Sequence, residues 1–332
     1  MAIGHATIAP PRAEVVAGTA FDVLVALAAA SAGREPAPPE LQATLDDVGD
    51  TTGESWLNLF GLPLDLGPPY DAGRLASEVA SVDPLELRRH VLGRHAWSWC
   101  TLAGTDTIEA AAAGDSAAAD TLLAHDRYYA GRARASLSKL VRLDPERTRA
   151  VVATALEVGA KVLGTDADRL EAAASAGAAE LEQAPLVEAI ETITGGYRYV
   201  PEVEADRVLL VPHTQPGPWL VLVQHRGARI IVYGQGADRS LEERVAALGR
   251  ALADPKRVEI VKLLGRGTDR VSRLVAETGL SRSTVHHHLT QLREARLVEL
   301  EGNARAYRYR LRPAALGDST ELLSVLLEER AG

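Results

Sequence analysis

A short run of hydrogen-bonding side chains near the C-terminus has the chemistry needed to contact nucleic-acid bases. Ser281 is a good helix N-cap, and Arg282, Ser283 and Thr284 follow it directly. Arginine pairs well with guanine edges, and small hydroxyl side chains can bond to several bases in the major groove. We therefore predict that these three side chains after the cap read DNA.

The surrounding pattern predicts the elements that would position this run. Apolar spacing and capping residues indicate four helices and a hairpin: Leu241–Ala253, a helix capped by Asp254, a short helix closed by Gly279, the helix capped by Ser281, and strands Leu297–Glu301 and Arg305–Leu311. A helix-turn-helix followed by a basic hairpin is a winged helix. We predict that Arg305 and Arg308 of this wing contact DNA.

The charge distribution fits such a basic face on an acidic chain. The 332 residues carry a formal net charge of −9. The part from residue 241 onward has a net charge of +3, residues 1–240 have −12, and residues 281–312 alone have +4. The local field, which governs association with phosphates, is therefore positive where the winged helix is predicted.

Three segments in this region resemble the ArsR/SmtB family of bacterial winged-helix regulators. They are residues 251–257 (ALADPKR), 280–289 (LSRSTVHHHL) and 292–298 (LREARLV), and the resemblance spans about residues 241–315. It implies a recognition helix that reads operator DNA and a homodimer that binds an imperfect palindrome in double-stranded DNA. It places Arg282, Ser283, Thr284 and His287 at recognition-helix positions and Arg305 at the wing arginine.

The resemblance does not extend to the metal sites of that family. Its founding members sense metals through cysteines on the third helix or through Asp/His clusters on the last helix. Here Asp269–Thr278 contains no cysteine or histidine, and Thr320–Arg330 offers only carboxylates. Three consecutive histidines, residues 286–288, point about 100° apart on a helix and chelate one ion poorly. We predict a regulator that does not sense metals, with no metal and no cofactor.

The last predicted helix is unusually apolar. It contains Leu322, Leu323, Val325, Leu326 and Leu327 within six positions. One core-facing stripe needs fewer apolar residues, so we favour a dimer interface containing Leu323 and Leu326. The alternative is that this helix only covers the winged-helix core.

The remaining chain predicts a mainly α fold in which a helical domain with a small antiparallel β-meander precedes the winged helix. We assign residues 1–195 to the helical domain, 196–234 to the meander, 235–240 to a linker, and 241–332 to the winged helix with its dimerisation helix. The meander is predicted from three β-branched runs, Val208–Pro212, Trp219–Gln224 and Arg229–Tyr233, with Tyr197–Val200 as a fourth candidate.

A ligand pocket is predicted on one helix of the N-terminal part. Asp83-Pro84 caps a helix that is expected to run past Trp97. Trp97 and Trp99 would line a cavity for a small organic effector, and Arg94 or His95 would orient it. Ordinary core packing of the tryptophans is the alternative, in which case the N-terminal domain is a dimer scaffold.

Other classes of function have little support in the sequence. We find no phosphate-binding loop, nucleophile elbow or zinc-protease helix, so we predict that the chain is not an enzyme. Its single cysteine, Cys100, cannot form an internal disulfide, and no export signal or membrane span is predicted, so a cytoplasmic protein is expected. The alternative function is a protein-interaction module whose winged helix does not read DNA sequence; an enzyme fused to a regulator ranks third.

Overall fold

The structure, a computed structural model, describes residues 11–125, 132–216, 220–234, 240–303 and 307–328; the side chains of Ser283, Leu316 and residues 326–328 are outside this description. The N-terminal part begins with strand β1 (Arg12–Val15) and continues through short helices and two long ones. These helices are α1 (Thr19–Ser31), α2 (Pro39–Val48), α3 (Glu54–Asn58), α4 (Gly61–Leu66), α5 (Ala72–Val79), α6 (Pro84–Val91), α7 (Trp97–Ala103), α8 (Thr105–Ala113), α9 (Ser116–Ala124), α10 (Ala133–Leu137), α11 (Pro145–Val162), α12 (Ala167–Gln183) and α13 (Leu186–Thr194).

Helix α1 is the centre of the helical part. Residues 20–30 are all buried, so α1 is covered on every side, as its nearly continuous apolar sequence requires. The one carboxylate in this stretch, Asp22, accepts hydrogen bonds from Thr214 N at 2.8 Å, Thr214 Oγ1 at 2.6 Å and Gln215 Nε2 at 2.9 Å. These bonds satisfy the buried charge and tie α1 to the sheet that follows.

The helix predicted from Asp83 past Trp97 is in fact two helices. Asp83 caps α6 as expected, accepting from Glu86 N at 2.9 Å. The chain then leaves the helix at Gly93, whose φ of 75° favours glycine, and α7 starts at Trp97. The expectation of one continuous helix was therefore wrong, because Gly93 ends α6 before the tryptophans.

The strands of the N-terminal part form a mixed sheet. Strands β3 (Arg207–His213), β4 (Leu220–His225) and β5 (Ala228–Gly234) join β1 in the order β1-β3-β5-β4. Strand β5 pairs in parallel with β3 and antiparallel with β4. The predicted antiparallel meander is thus wrong in its pairing, although its strands occur where they were expected; Trp219 lies outside the described residues.

The apolar content of β5 explains why this strand lies between β3 and β4 and not at the end of a meander. Residues 228–233 are all buried, so this strand occupies the middle of the sheet, and the less buried β4 lies at an edge. The two-residue turn Arg226-Gly227, with Arg226 at a φ of 51°, makes β4 and β5 a hairpin. The longer connection after β3 lets β4 take the far side.

The winged helix follows and is completed by a strand from earlier in the chain. Its elements are α14 (Leu241–Leu252), α15 (Pro255–Gly265), α16 (Val271–Thr278), α17 (Arg282–Glu294), β6 (Val298–Gly302), β7 (Tyr307–Leu311) and α18 (Ala315–Glu328). Strand β2 (Tyr197–Tyr199) pairs in parallel with β6, so the sheet has the order β2-β6-β7. The predicted fourth meander strand therefore belongs to the wing sheet instead.

The mixed sheet has apolar residues on both faces. One face contributes to a cluster with the helical part: Leu209, Val211, Ile230 and Val232. The other face contributes to a second cluster: Val208, Leu210, Ile231 and Tyr233. This second cluster continues through Tyr197 and Tyr199 to Leu274, Val285 and Leu289 of the winged helix. Residues 235–239 lie outside the description, so the predicted linker and domain limits stay predictions, but the apolar core extends across that boundary.

A buried ion pair is formed by Arg229, near the start of β5. Both Arg229 and Glu202 have side chains at most 1% exposed. The guanidinium donates from Nε to Glu202 Oε1 at 2.7 Å and from Nη2 to Oε2 at 2.6 Å, and it lies 5.0 Å from the centre of the Trp97 ring. This two-point geometry satisfies both charges and connects the sheet to α7.

We expect Glu202→Ala to destabilise the protein by about 3–5 kcal/mol, because the Arg229 charge would stay buried without its partner. Denaturant unfolding of the full chain measures this free energy. The control is Glu171→Ala on the exposed side of α12, for which a change within about 0.5 kcal/mol is expected. Equal effects of the two substitutions would contradict the assigned role of the pair.

Candidate DNA-binding interface

Helices α16 and α17 form a helix-turn-helix with strong local signals. Gly279 ends α16 in the left-handed region, at a φ of 68°. Ser281 caps α17 by accepting from Thr284 N at 3.1 Å. Val285, Leu289 and Leu292 of α17 are fully buried. Since one face of α17 is fixed in the core, the opposite face of its first two turns points outward.

The residues predicted to read DNA lie on this first part of α17. Arg282 and His287 are exposed, and Thr284 is half-buried with its hydroxyl 2.7 Å from the Ser281 hydroxyl. Ser283 lies in the helix, but its side chain is outside the description. The structure thus brings Arg282, Thr284 and His287 to one helix end, while their contact with DNA stays a prediction.

The three consecutive histidines have three different surroundings. His288 is buried, with Nδ1 3.9 Å from Asp254 Oδ2, whereas His287 is exposed. The pKa of His286 is lowered, first by burial and then by the positive charges of Arg282 and Arg132. The imidazoles do not converge on one point.

The wing arginines are paired within the hairpin. Arg308 forms a short ion pair with Glu301 on the neighbouring strand, and Arg310 Nη1 lies 2.9 Å from the second oxygen of the same carboxylate. Sequence reasoning missed Glu301, although the hairpin register places it opposite Arg308 and could have revealed it. DNA phosphates would have to compete with Glu301 for Arg308. Arg305 lies outside the described residues.

The last helix divides its apolar residues between two sides. Leu322 is buried and α18 packs against α14, whereas Leu323 is 45% and Val325 40% exposed. The side chain of Leu326 is outside the description. Covering the winged-helix core therefore accounts for only part of the apolar sequence of α18, and Leu323 is left available to a partner.

The predicted ligand pocket is a groove open to solvent. Arg94, His95 and Trp97 line a cavity of about 520 Å³ together with Cys100 and Arg226. Trp99 does not line it: its ring is 3% exposed in the core, and its Nε1 donates to Leu92 O at 3.0 Å. The tryptophans separate because residues two positions apart on a helix point about 200° away from each other.

The polar residues predicted to orient a ligand already have partners. Arg94 Nε donates to Glu109 Oε1 at 2.6 Å, and His95 Nε2 lies 3.1 Å from Glu86 Oε1. Burial, and after it the neighbouring His90 and His225, lower the pKa of His95 to about 4. His95 is therefore neutral near pH 7.

A larger cavity lies at the junction of the winged helix and the preceding part of the chain. Its volume is about 640 Å³, and its walls come from the ends of β3 and β5, from α14, and from residues around the C-terminal end of α17 and the start of α18. Arginines are the most frequent charged lining residues: Arg169, Arg244, Arg250, Arg293, Arg296 and Arg312. They come from distant segments, so no local sequence signal indicated this cavity.

The fold and these side chains define a winged-helix DNA-binding domain at the C-terminal end of the chain. A family model described as "Bacterial regulatory protein, arsR family" matches residues 254–299. The "HTH-type transcriptional regulator CmtR" of Mycobacterium bovis and Mycobacterium tuberculosis is 41% identical over 87 residues, which cover 26% of this chain and 74% of the relative. The chain therefore belongs to the ArsR family, and the resemblance seen in the sequence is confirmed.

A second relative comes from an archaeon. The "Uncharacterized HTH-type transcriptional regulator MJ0229" of Methanocaldococcus jannaschii is 33% identical over 88 residues, covering 25% of this chain and 93% of the relative. No significant match to a solved structure was found. Among the described residues, no helix combines the length and apolar character needed to cross a membrane. The relatives support a DNA-binding transcription regulator and the mainly α fold with a C-terminal helix-turn-helix.

We expect the protein to lose stability as the pH falls from about 6.5 to about 4. The ordinary histidine pKa is 6.5 and that of folded His95 is about 4, so in this range the unfolded chain binds more protons than the folded one. The His225 pKa is also lowered, mainly by burial, and acts in the same direction. Thermal unfolding across this pH range measures the effect.

The matched test is His95→Gln against the exposed His287→Gln. His95→Gln should reduce the loss of stability on acidification, because it removes a proton acceptor that only the unfolded chain uses in this pH range. His287→Gln controls for the loss of one exposed imidazole. A parent-like pH dependence for the His95 variant would show that the folded protein does not hold this imidazole neutral.

Proposed function

We propose that the protein is a homodimeric, one-component repressor that binds an imperfect palindromic operator through α17. The observation that carries this proposal is the first part of α17, where Arg282 and His287 are exposed on a helix anchored by Val285 and Leu289. A rigid helix with exposed polar residues at its N-terminal end is the element that helix-turn-helix proteins insert into the major groove. We further propose that the bound dimer blocks transcription and that the protein has no catalytic activity.

The winged helix itself is proposed not to sense metal at the positions used by the family's metal sensors. Helix α16 contains no histidine or cysteine, and the sequence of α18 offers only carboxylates. Control would instead come from the N-terminal part, as a ligand sensor or a dimer scaffold. The groove beside Trp97 supports the sensor alternative, with a small organic effector that contacts Trp97 and the edge of His95.

The recognition helix is tested by Ser283→Ala combined with Thr284→Ala. Each good base contact contributes about 1–3 kcal/mol of discrimination, so the double variant should lose most of its sequence preference and keep its non-specific binding. Ser281 is unchanged, so the cap of α17 remains. Gel shifts and footprinting on the DNA upstream of its own operon, with and without competitor DNA, measure both properties.

The comparison variant is Arg305→Ala, in which a predicted phosphate contact is lost. It should weaken binding to specific and random DNA alike and reduce the salt dependence by about one phosphate contact. Unchanged sequence preference in the Ser283/Thr284 variant would contradict the assignment of α17. A parent protein that binds no DNA but captures a protein would favour the interaction-module alternative.

Dimerisation through α18 is tested by Leu323→Glu combined with Leu326→Glu. Because Leu323 is exposed in the single chain, the glutamate there is tolerated in a monomer. At an interface, however, unpaired charges would be buried at a cost of several kcal/mol. Light scattering should report a monomer, with reduced operator affinity. Ser324→Glu, on the same helix but turned about 100° away from Leu323, should stay dimeric. A Leu323/Leu326 variant that remained dimeric would place the interface elsewhere.

A further inference from the structure

Five ionisable side chains from three separate segments meet beside the β4–β5 hairpin. This histidine cluster consists of Asp65 on α4, Glu86 and His90 on α6, His95 after α6, and His225 at the end of β4. The three imidazole rings are mutual neighbours, with centroid separations of 4.5 Å, 5.4 Å and 5.1 Å. The cluster lies in the N-terminal part and shares no residue with the DNA-binding interface.

The ligand atoms of the cluster point toward one another. His225 Nε2 lies 2.9 Å from Asp65 Oδ1, and His90 Nε2 lies 3.4 Å from Asp65 Oδ2. On the other side, Glu86 Oε1 lies 3.1 Å from His95 Nε2 and 3.9 Å from His90 Nε2. In each of two overlapping triplets, Asp65–His90–His225 and Glu86–His90–His95, the ligand atoms lie within 4.8 Å of one another. His90 belongs to both triplets and is therefore the central residue.

The separations of 3.4 Å and 3.9 Å at His90 Nε2 are close to those around a small divalent cation, whereas the 2.9 Å and 3.1 Å pairs are hydrogen bonds that an ion would replace. Zinc binds imidazole nitrogen and carboxylate oxygen at about 2.0–2.2 Å, which for tetrahedral ligands corresponds to separations of about 3.3–3.6 Å. We propose that the histidine cluster binds one zinc-class divalent transition metal ion, with His90 Nε2 as the ligand shared by both triplets and with His225, Asp65, His95 and Glu86 supplying the other ligand atoms. The ligand set contains nitrogen and oxygen but no thiolate, so it favours borderline metals over soft ones.

The imidazoles are held in place by their surroundings. The side chains of His90 and His225 are 1% and 5% exposed. A Cβ atom on Gly61 would lie 1.9 Å from His225 Nδ1, so the absence of a side chain at Gly61 lets this ring pack against the backbone of α4. Arg226 N donates to His95 O at 3.0 Å, which joins the hairpin turn to the segment after α6. Preorganisation of this kind reduces the entropy lost when a ligand binds.

The neighbouring charges are compatible with a cation. Arg226 shares Asp65, with Nη2 2.9 Å from Oδ2, but this guanidinium is 58% exposed and can turn into solvent. Arg89 holds the other oxygen of Glu86, which leaves Oε1 for the cluster.

An ion has a path to the cluster and a connection to the rest of the molecule. His95 lines the groove of about 520 Å³, so solvent reaches one side of the cluster. His225 ends β4, which pairs with β5, and Ile231 and Tyr233 of β5 face the apolar cluster shared with the winged helix. The proposed site departs from the sequence-based expectation that the chain holds no metal.

The test is zinc binding to the full-length protein without DNA, measured by competition with a chromophoric chelator, together with the visible absorption of bound Co²⁺. One equivalent per chain is expected, with the intense spectrum of tetrahedral cobalt. His95→Gln, Asp65→Asn and His225→Gln should each weaken binding by at least about tenfold. The matched control, His286→Gln with His287→Gln, removes two of the three consecutive histidines and should keep the parent affinity.

Circular dichroism and thermal unfolding show which variants are folded. His95, with a side chain 16% exposed, is the ligand least needed for packing; if the other variants fail to fold, the His95 variant decides the outcome. Absence of tight binding, or binding that is lost only in the His286/His287 control, would overturn the proposal. Because no DNA is present, these results are independent of whether α17 reads an operator.

Discussion

The burial of both faces of the mixed sheet is the constraint on which the remaining structure depends. Side chains alternate along β3 and β5, so Leu209 and Ile230 pack with the helical part while Leu210 and Ile231 belong to the cluster that includes the winged helix. The helical part and the winged helix therefore each pack against residues of the same sheet. The DNA-binding region and the preceding chain are consequently joined by a shared core in addition to the covalent connection.

Three carboxylates illustrate how buried or half-buried charges are paired in this structure. Asp22 and Glu202 accept hydrogen bonds from residues 192 and 27 positions away, whereas Glu301 pairs with Arg308 across a hairpin. The pairing has a cost for function at the wing, where the arginines that suit phosphate are held by a carboxylate. At the histidine cluster, three imidazoles and two carboxylates share a small volume, which favours cation binding.

The features predictable from the sequence are the ones encoded by neighbouring residues. Ser281 and Asp254 indicate where their helices begin, because capping depends on the next three residues. The apolar spacing of Val285, Leu289 and Leu292 indicates the buried face of α17. Pairing between distant segments could not be derived in this way. The position of β5 between β3 and β4 and the parallel pairing of β2 with β6 depend on the shared core. His225 is likewise 130 residues or more from His90 and His95, so no spacing rule connects them.

The pairing of Tyr197–Tyr199 with β6 has a consequence for how two such molecules would meet DNA. Strand β6 has hydrogen-bonded neighbours on both sides, and the Tyr197 hydroxyl donates to Gly302 O at 2.8 Å inside the protein. The wing sheet is therefore fixed to the segment that precedes the winged helix, and it does not reorient independently to fit an operator. In a dimer, the distance between the two recognition helices would be set by the folded structure of the two chains and would change little. Successive major-groove faces of B-DNA recur every 34–36 Å or so. Operators with one or two inserted base pairs between half-sites would be rejected by geometry alone, even with every contacted base preserved.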